Sequence, residues 1–138
     1  MARVEISTPT RKDEAEFIAA MTASADLHRP WLYPPVTSQA YREYLARLIP
    51  DRKHGFLARR AEDRALVGWL NVSDIVRGAL QGANVSYGGV AARGRRQSFR
   101  RAGFQLEGWS PGYLEIDGDR RDRERLALRS EAWIVRRR

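Results

Sequence analysis

The chain has 138 residues, 25 lysines and arginines against 17 aspartates and glutamates, a formal net charge of +8, and no cysteine. That length suits one domain, residues 1–138, with a real core, and the missing cysteine excludes a disulfide frame, a thiolate metal site and a cysteine nucleophile. The charge admits two readings: a basic RNA- or ribosome-associated protein, or a compositional bias. Lys12 and Lys53 are the only lysines, and the arginines are dispersed through every segment rather than gathered on one face. Met1 to Phe17 is charged throughout, which argues against a secretory signal, and no window is long and apolar enough to span a bilayer. A cytoplasmic, non-membrane protein without a metal site is expected.

Val4 and Ile6 open an edge strand that Thr8-Pro9-Thr10 ends. Thr10 then caps a helix reaching about Ser24, with Asp13 and Glu14 in its first turn and Ala15, Phe17, Ile18 and Met21 on its apolar face. From Leu27 to Pro35, three prolines keep the chain out of helix. Ser38 is the expected cap of a second helix whose inner stripe is Tyr41, Tyr44, Leu45 and Leu48. Gly55 to Arg59 alternates as a strand, Ala61 to Arg64 turns, and Leu66 to Val72 is the longest apolar strand, hence central. Asn84 to Val90 is the next strand. Arg93 to Arg101 is strongly basic, and Gly103 is placed to close a helix. Phe104 begins an extended run through Ile116, and Asp117-Gly118 turns it back onto a return strand over Glu124 to Ile134.

Two phrases carry a resemblance. LVGWLNVSDIVRGALQGA, Leu66 to Ala83, and RAGFQLEGWSPGYLEIDGDRRDRERLAL, Arg101 to Leu128, are similar to phrases of the GNAT superfamily of N-acetyltransferases, in its Rim-type branch that acetylates protein N-termini, including ribosomal-protein alanines. Together they cover about half of the chain. The resemblance implies an α/β fold with a mixed, largely antiparallel sheet flanked by helices. It also implies acetyl-CoA as co-substrate, a primary amine acceptor on a protein N-terminus or a small molecule, and a partner on the ribosome as one option.

Residue roles follow from the same resemblance. The strand at Asn84 to Val90 splays from its neighbour to receive the pantetheine arm. The pyrophosphate loop, of pattern Gln/Arg-x-x-Gly-x-Gly/Ala, corresponds to Ala91, Ala92, Arg93, Gly94, Arg95 and Arg96, where Gly94 alone matches, and Val90 before it completes the candidate cofactor contacts. Ser98, five residues before Gly103, stands where a hydroxyl protonates the departing thiolate, with a helix cap as its plain alternative. His28 is a candidate base. Trp31, Tyr33, Asn71, Asp74, Tyr113 and Asp122 are the candidate acceptor contacts. The family places a helix, a strand and the start of another helix between this loop and the helix end at Arg100, so roughly 25 to 30 residues are missing and the cofactor region is shortened. From this two further expectations follow. One is a degenerate, GNAT-derived binding module as an alternative to an enzyme. The other is a homodimer or larger assembly that covers a sheet edge left open over Leu66 to Val72 and Val85 to Val90.

Overall fold

A single reciprocal cap decides where the first helix begins. Thr10 accepts a hydrogen bond from the Lys12 amide at 3.3 Å, while the Asp13 carboxylate accepts one from the Thr10 amide at 2.8 Å, so two amides at the helix entry are satisfied at once. These contacts come from a computed structural model that describes residues 4–90, 104–129 and 131. The chain divides into two compact units, residues 1–94 and 95–138.

In the first unit, strand β1 (Val4–Ser7) leads through a 3-10 turn (Arg11–Asp13) into α1 (Glu14–Ala23), α2 (Ala25–His28) and α3 (Ser38–Ala46). Strands β2 (His54–Arg60), β3 (Leu66–Val76) and β4 (Gly82–Gly89) follow. The four strands form one antiparallel sheet in the order β1-β2-β3-β4. As expected, β3 is internal. The cap of α3 is Thr37, whose hydroxyl accepts from the Ala40 amide at 3.2 Å; Ser38, the expected cap, is the first helical residue instead. The expected loop over Leu27 to Pro35 begins later, because the chain makes one more helical turn, α2. It stops at Arg29, which is extended, as the residue before a proline tends to be.

The core gathers Phe17 and Met21 from α1, Tyr41 and Tyr44 from α3, Leu57 from β2, and Leu66 and Trp69 from β3. Ile18, Leu45 and Leu48 pack around it, whereas Ala15, expected on the same face, is exposed. The three helix aromatics touch pairwise with ring centroids 5.3 to 6.2 Å apart. Leu57 lies opposite Trp69, and Trp69 opposite Gly88. The indole occupies the place of a side chain at Gly88, where a Cβ would come within 2.7 Å of the ring. Leu66 and Trp69 are buried, whereas Val67, Leu70 and Val72 on the same strand are half-buried and Val85, on β4, is 36% exposed.

Strand alternation carries Arg59 to the same inner side as Leu57 and Gly55. Its guanidinium is held there by Glu16 at 2.7 Å and Asp13 at 2.8 Å, and it also donates to the Arg64 carbonyl at 3.2 Å. Burial opposes the charge, but the hydrogen bonds that Arg59 donates to Glu16 and then to Asp13 outweigh it and raise the Arg59 pKa.

The second unit is a hairpin of β5 (Gln105–Ile116) and β6 (Asp119–Ala127). Asp117 and Gly118 both have positive φ, 52° and 80°, which matches the right-handed strand twist in a two-residue turn. Pairing begins at once after that turn, so the return strand starts at Asp119 rather than at the expected Glu124 and ends at Ala127. The ladder is irregular between Ser110 and Leu114, where Pro111 has no amide to donate. The expected helix ending at Gly103, and Ile134, lie outside the described residues.

Candidate functional site

The outer edge of β4 is the feature from which a site can be built. The Val90 amide donates to the Val67 carbonyl at 3.1 Å, and Gly68 lies opposite Gly89. In an antiparallel ladder this makes Gly68 and Gly89 a pair without mutual hydrogen bonds, so the N–H and C=O of Gly89 point away from β3. Those of Tyr87 and Val85 follow by alternation. Among the described residues no strand pairs with this edge. A strand edge of this kind can add a further chain that carries amides.

His28 stands at the end of that row. It is 3% exposed, and its Nε2 lies 2.8 Å from the Gly89 carbonyl oxygen. A carbonyl can only accept, so Nε2 carries the hydrogen. In the neutral ring, Nδ1 is then an acceptor, and it is buried with no partner among the described residues. Nε2 cannot take a proton from an amine while it donates to Gly89, which limits the base role expected of this histidine.

Asn71 is 8% exposed, and its Oδ1 accepts from the Tyr44 hydroxyl at 2.8 Å. Burial pushes the Tyr44 pKa up to about 12. This asparagine serves the core rather than an open pocket. Asp74, exposed at φ 50° in β3, accepts from the Asn84 amide group across the strand pair at 3.0 Å. Trp31 and Tyr33 are 43% and 59% exposed on the segment after α2. The first unit thus holds His28, Val90, Trp31, Tyr33, Asn71 and Asp74.

Tyr113 and Asp122 belong to the second unit. Tyr113 is 58% exposed. Asp122 accepts from the Gly112 amide at 2.8 Å, where Gly112 has φ 56°, and so clasps the irregular part of β5. Ala91, Ala92, Arg93, Gly94, Arg95, Arg96 and Ser98 lie outside the described residues. The sequence reading missed Gly89 and the buried Arg59. A signal for the first was present in the consecutive Gly88-Gly89 at the end of an otherwise ordinary strand; none marked Arg59 among so many arginines.

No family model and no curated protein matches the sequence. Solved structures do. RimJ of Mycobacterium smegmatis in complex with CoA-disulfide matches at 20% identity, with a TM-score of 0.76 over 93% of this chain and 82% of that one. The ribosomal-protein-S5-alanine acetyltransferase of Vibrio fischeri matches at 15% identity and a TM-score of 0.75, over 91% and 92%. The spermidine N-acetyltransferase of Vibrio cholerae, in complex with CoA and spermine, matches at 13% identity and 0.73, over 95% and 98%. At these identities the likeness shows the fold, and that fold is the one shared by GNAT N-acetyltransferases.

Proposed function

We propose that this chain is an N-acetyltransferase that moves the acetyl group of acetyl-CoA to a primary amine, on a protein N-terminus or a small molecule. The observation that carries the reading is the outer edge of β4, ending at Gly89, with which no described strand pairs, in a fold shared with acetyltransferases solved in complex with CoA. Pantetheine contains two amides and can add to such an edge as a strand would. In the reaction the amine nitrogen attacks the thioester carbonyl carbon. A C–N bond forms, the C–S bond breaks, the sulfur leaves as thiolate and is protonated, and the amine gives up one proton.

Within this reading the outward amide of Gly89 binds the pantetheine arm, and Val90 to Arg96 grip the phosphates, the guanidinium groups of Arg93, Arg95 and Arg96 being well suited to phosphate oxygens. Ser98 protonates the thiolate. Trp31, Tyr33 and Asp74 contact the acceptor, the carboxylate drawing the ammonium group. The protein is cytoplasmic, and it assembles as a homodimer or larger assembly. By the resemblance, the residues that would supply a long helix after the loop are absent from the sequence, and on that ground the cofactor is held weakly.

Calorimetric titration with acetyl-CoA tests the reading, joined to mass spectrometry of spermidine and of a peptide with an N-terminal alanine after incubation with the protein. Weak binding with a product heavier by one acetyl group is the expected result. A submicromolar dissociation constant, about 8 kcal/mol or more of binding, would overturn the weak hold. No heat and no product would overturn the transferase itself and leave the degenerate binding module.

A further inference from the structure

We propose that His28 is a positioning residue that sets the peptide planes at the end of β4, the surface on which the acyl donor lies. The proposal rests on the acetyltransferase reading and assigns His28 a part in it other than the base.

The end of β4 has little to stiffen it. Gly88 and Gly89 are consecutive, and glycine retains the largest backbone freedom. A side chain at Gly88 is excluded, since a Cβ there would meet the Trp69 ring at 2.7 Å. Order must therefore come from hydrogen bonds. On the inner side, the Val90 amide is tied to the Val67 carbonyl at 3.1 Å. On the outer side, the one described tie is His28 Nε2 to the Gly89 carbonyl at 2.8 Å. The two bonds grip the Gly89–Val90 peptide from both ends, carbonyl and amide, and so define its plane.

The tie also decides what the edge presents. Gly89 N–H and C=O both face outward, and with the carbonyl already accepting from His28, the group left to offer at this position is a donor. A thioester carbonyl, and the oxyanion it becomes, needs a donor and is repelled by a neighbouring acceptor. The arrangement has a cost, because Nδ1 is buried without a partner among the described residues in a side chain 3% exposed. A buried, unpaired acceptor destabilises a fold, and an apolar ring would remove it. An imidazole at this place is thus poorly explained by packing and well explained by what its other nitrogen holds.

The test compares the full chain with His28→Gln, His28→Phe and His28→Asn. The glutamine amide nitrogen reaches about as far as Nε2, whereas that of asparagine reaches about as far as Nδ1 and falls short of Gly89. Acetyl-CoA is titrated to millimolar concentration while the Gly89 and Val90 amide resonances are followed by NMR, with urea unfolding as the control for stability. Expected is a glutamine variant that binds within about threefold of the parent, and phenylalanine and asparagine variants that bind about tenfold more weakly, with the Gly89 and Val90 resonances displaced before ligand is added. Rescue by glutamine is what a merely space-filling residue would not show. Should the phenylalanine variant fail to fold, the glutamine and asparagine pair carries the same comparison. Parent-like binding by the asparagine or phenylalanine variant would overturn the positioning role and leave the acetyltransferase reading intact. A parent chain that shows no response at millimolar acetyl-CoA would overturn that reading, and the positioning role with it.

Discussion

Tyr44 joins packing to titration at one residue. Its ring stacks on Phe17 with centroids 6.2 Å apart, and its hydroxyl donates to Asn71, which β3 brings into the core. Burial raises its pKa from 10.0 to about 12, so the neutral hydroxyl is the form the fold selects. A folded-state value above the unfolded one means that its contribution is intact below about pH 10 and is lost as pH rises through about 12. Urea midpoints measured in steps between those limits are expected to fall. Tyr44→Phe is expected to flatten part of that fall, and to lose about 1 to 3 kcal/mol at neutral pH because Asn71 Oδ1 is left buried and unpaired. Gly88 makes a second case at the same scale. Gly88→Ala is expected to cost about 1 to 3 kcal/mol in urea unfolding, since the strand pair and the indole must both give way. Gly82→Ala is the control, because the new Cβ there would meet Leu80 at an ordinary 3.7 Å.

At the scale of elements, Arg59 fastens β2 to the start of α1. The guanidinium reaches Asp13 in the capping turn and Glu16 in the helix, with its side chain 9% exposed and those of its partners 20% and 48%. The partners can take up water if the cation is removed, so the loss is smaller than for a wholly buried pair. Arg59→Leu is expected to destabilise by about 1 to 3 kcal/mol, read from the thermal midpoint and calorimetric enthalpy, and to loosen amide exchange protection in the first turn of α1 ahead of the sheet. A midpoint equal to that of the parent would show the three groups to be no more than neighbours.

At the scale of the molecule, the question is what meets the open strand edges. β1 ends the described sheet on one side, with Val4 50% and Ile6 61% exposed, and β4 ends it on the other. Exposed edges that carry apolar side chains tend to pair or to be covered. Light scattering across a concentration series is expected to give the mass of a dimer or a larger assembly. A monomer at the highest concentration would overturn the assembly expected of this chain.

What the sequence by itself determined was local. Thr10 and Asp13 mark the helix entry, Asp117-Gly118 marks the hairpin, alternation marks β2 and an apolar run marks β3, because each depends on the backbone preferences of a few neighbouring residues. The two quoted phrases extended that reading to the fold, which the solved structures share. Only the tertiary structure decided what the distant polar groups do. His28 meets Gly89 across 61 positions, Arg59 meets Asp13 across 46, and Tyr44 meets Asn71 across 27. Each contact depends on strand register and on the seating of a helix, which no short window of sequence encodes. The same holds for Asp122, read as an acceptor contact and found to hold Gly112: its partner was set by where Pro111 breaks the ladder, a property of two strands together rather than of either alone.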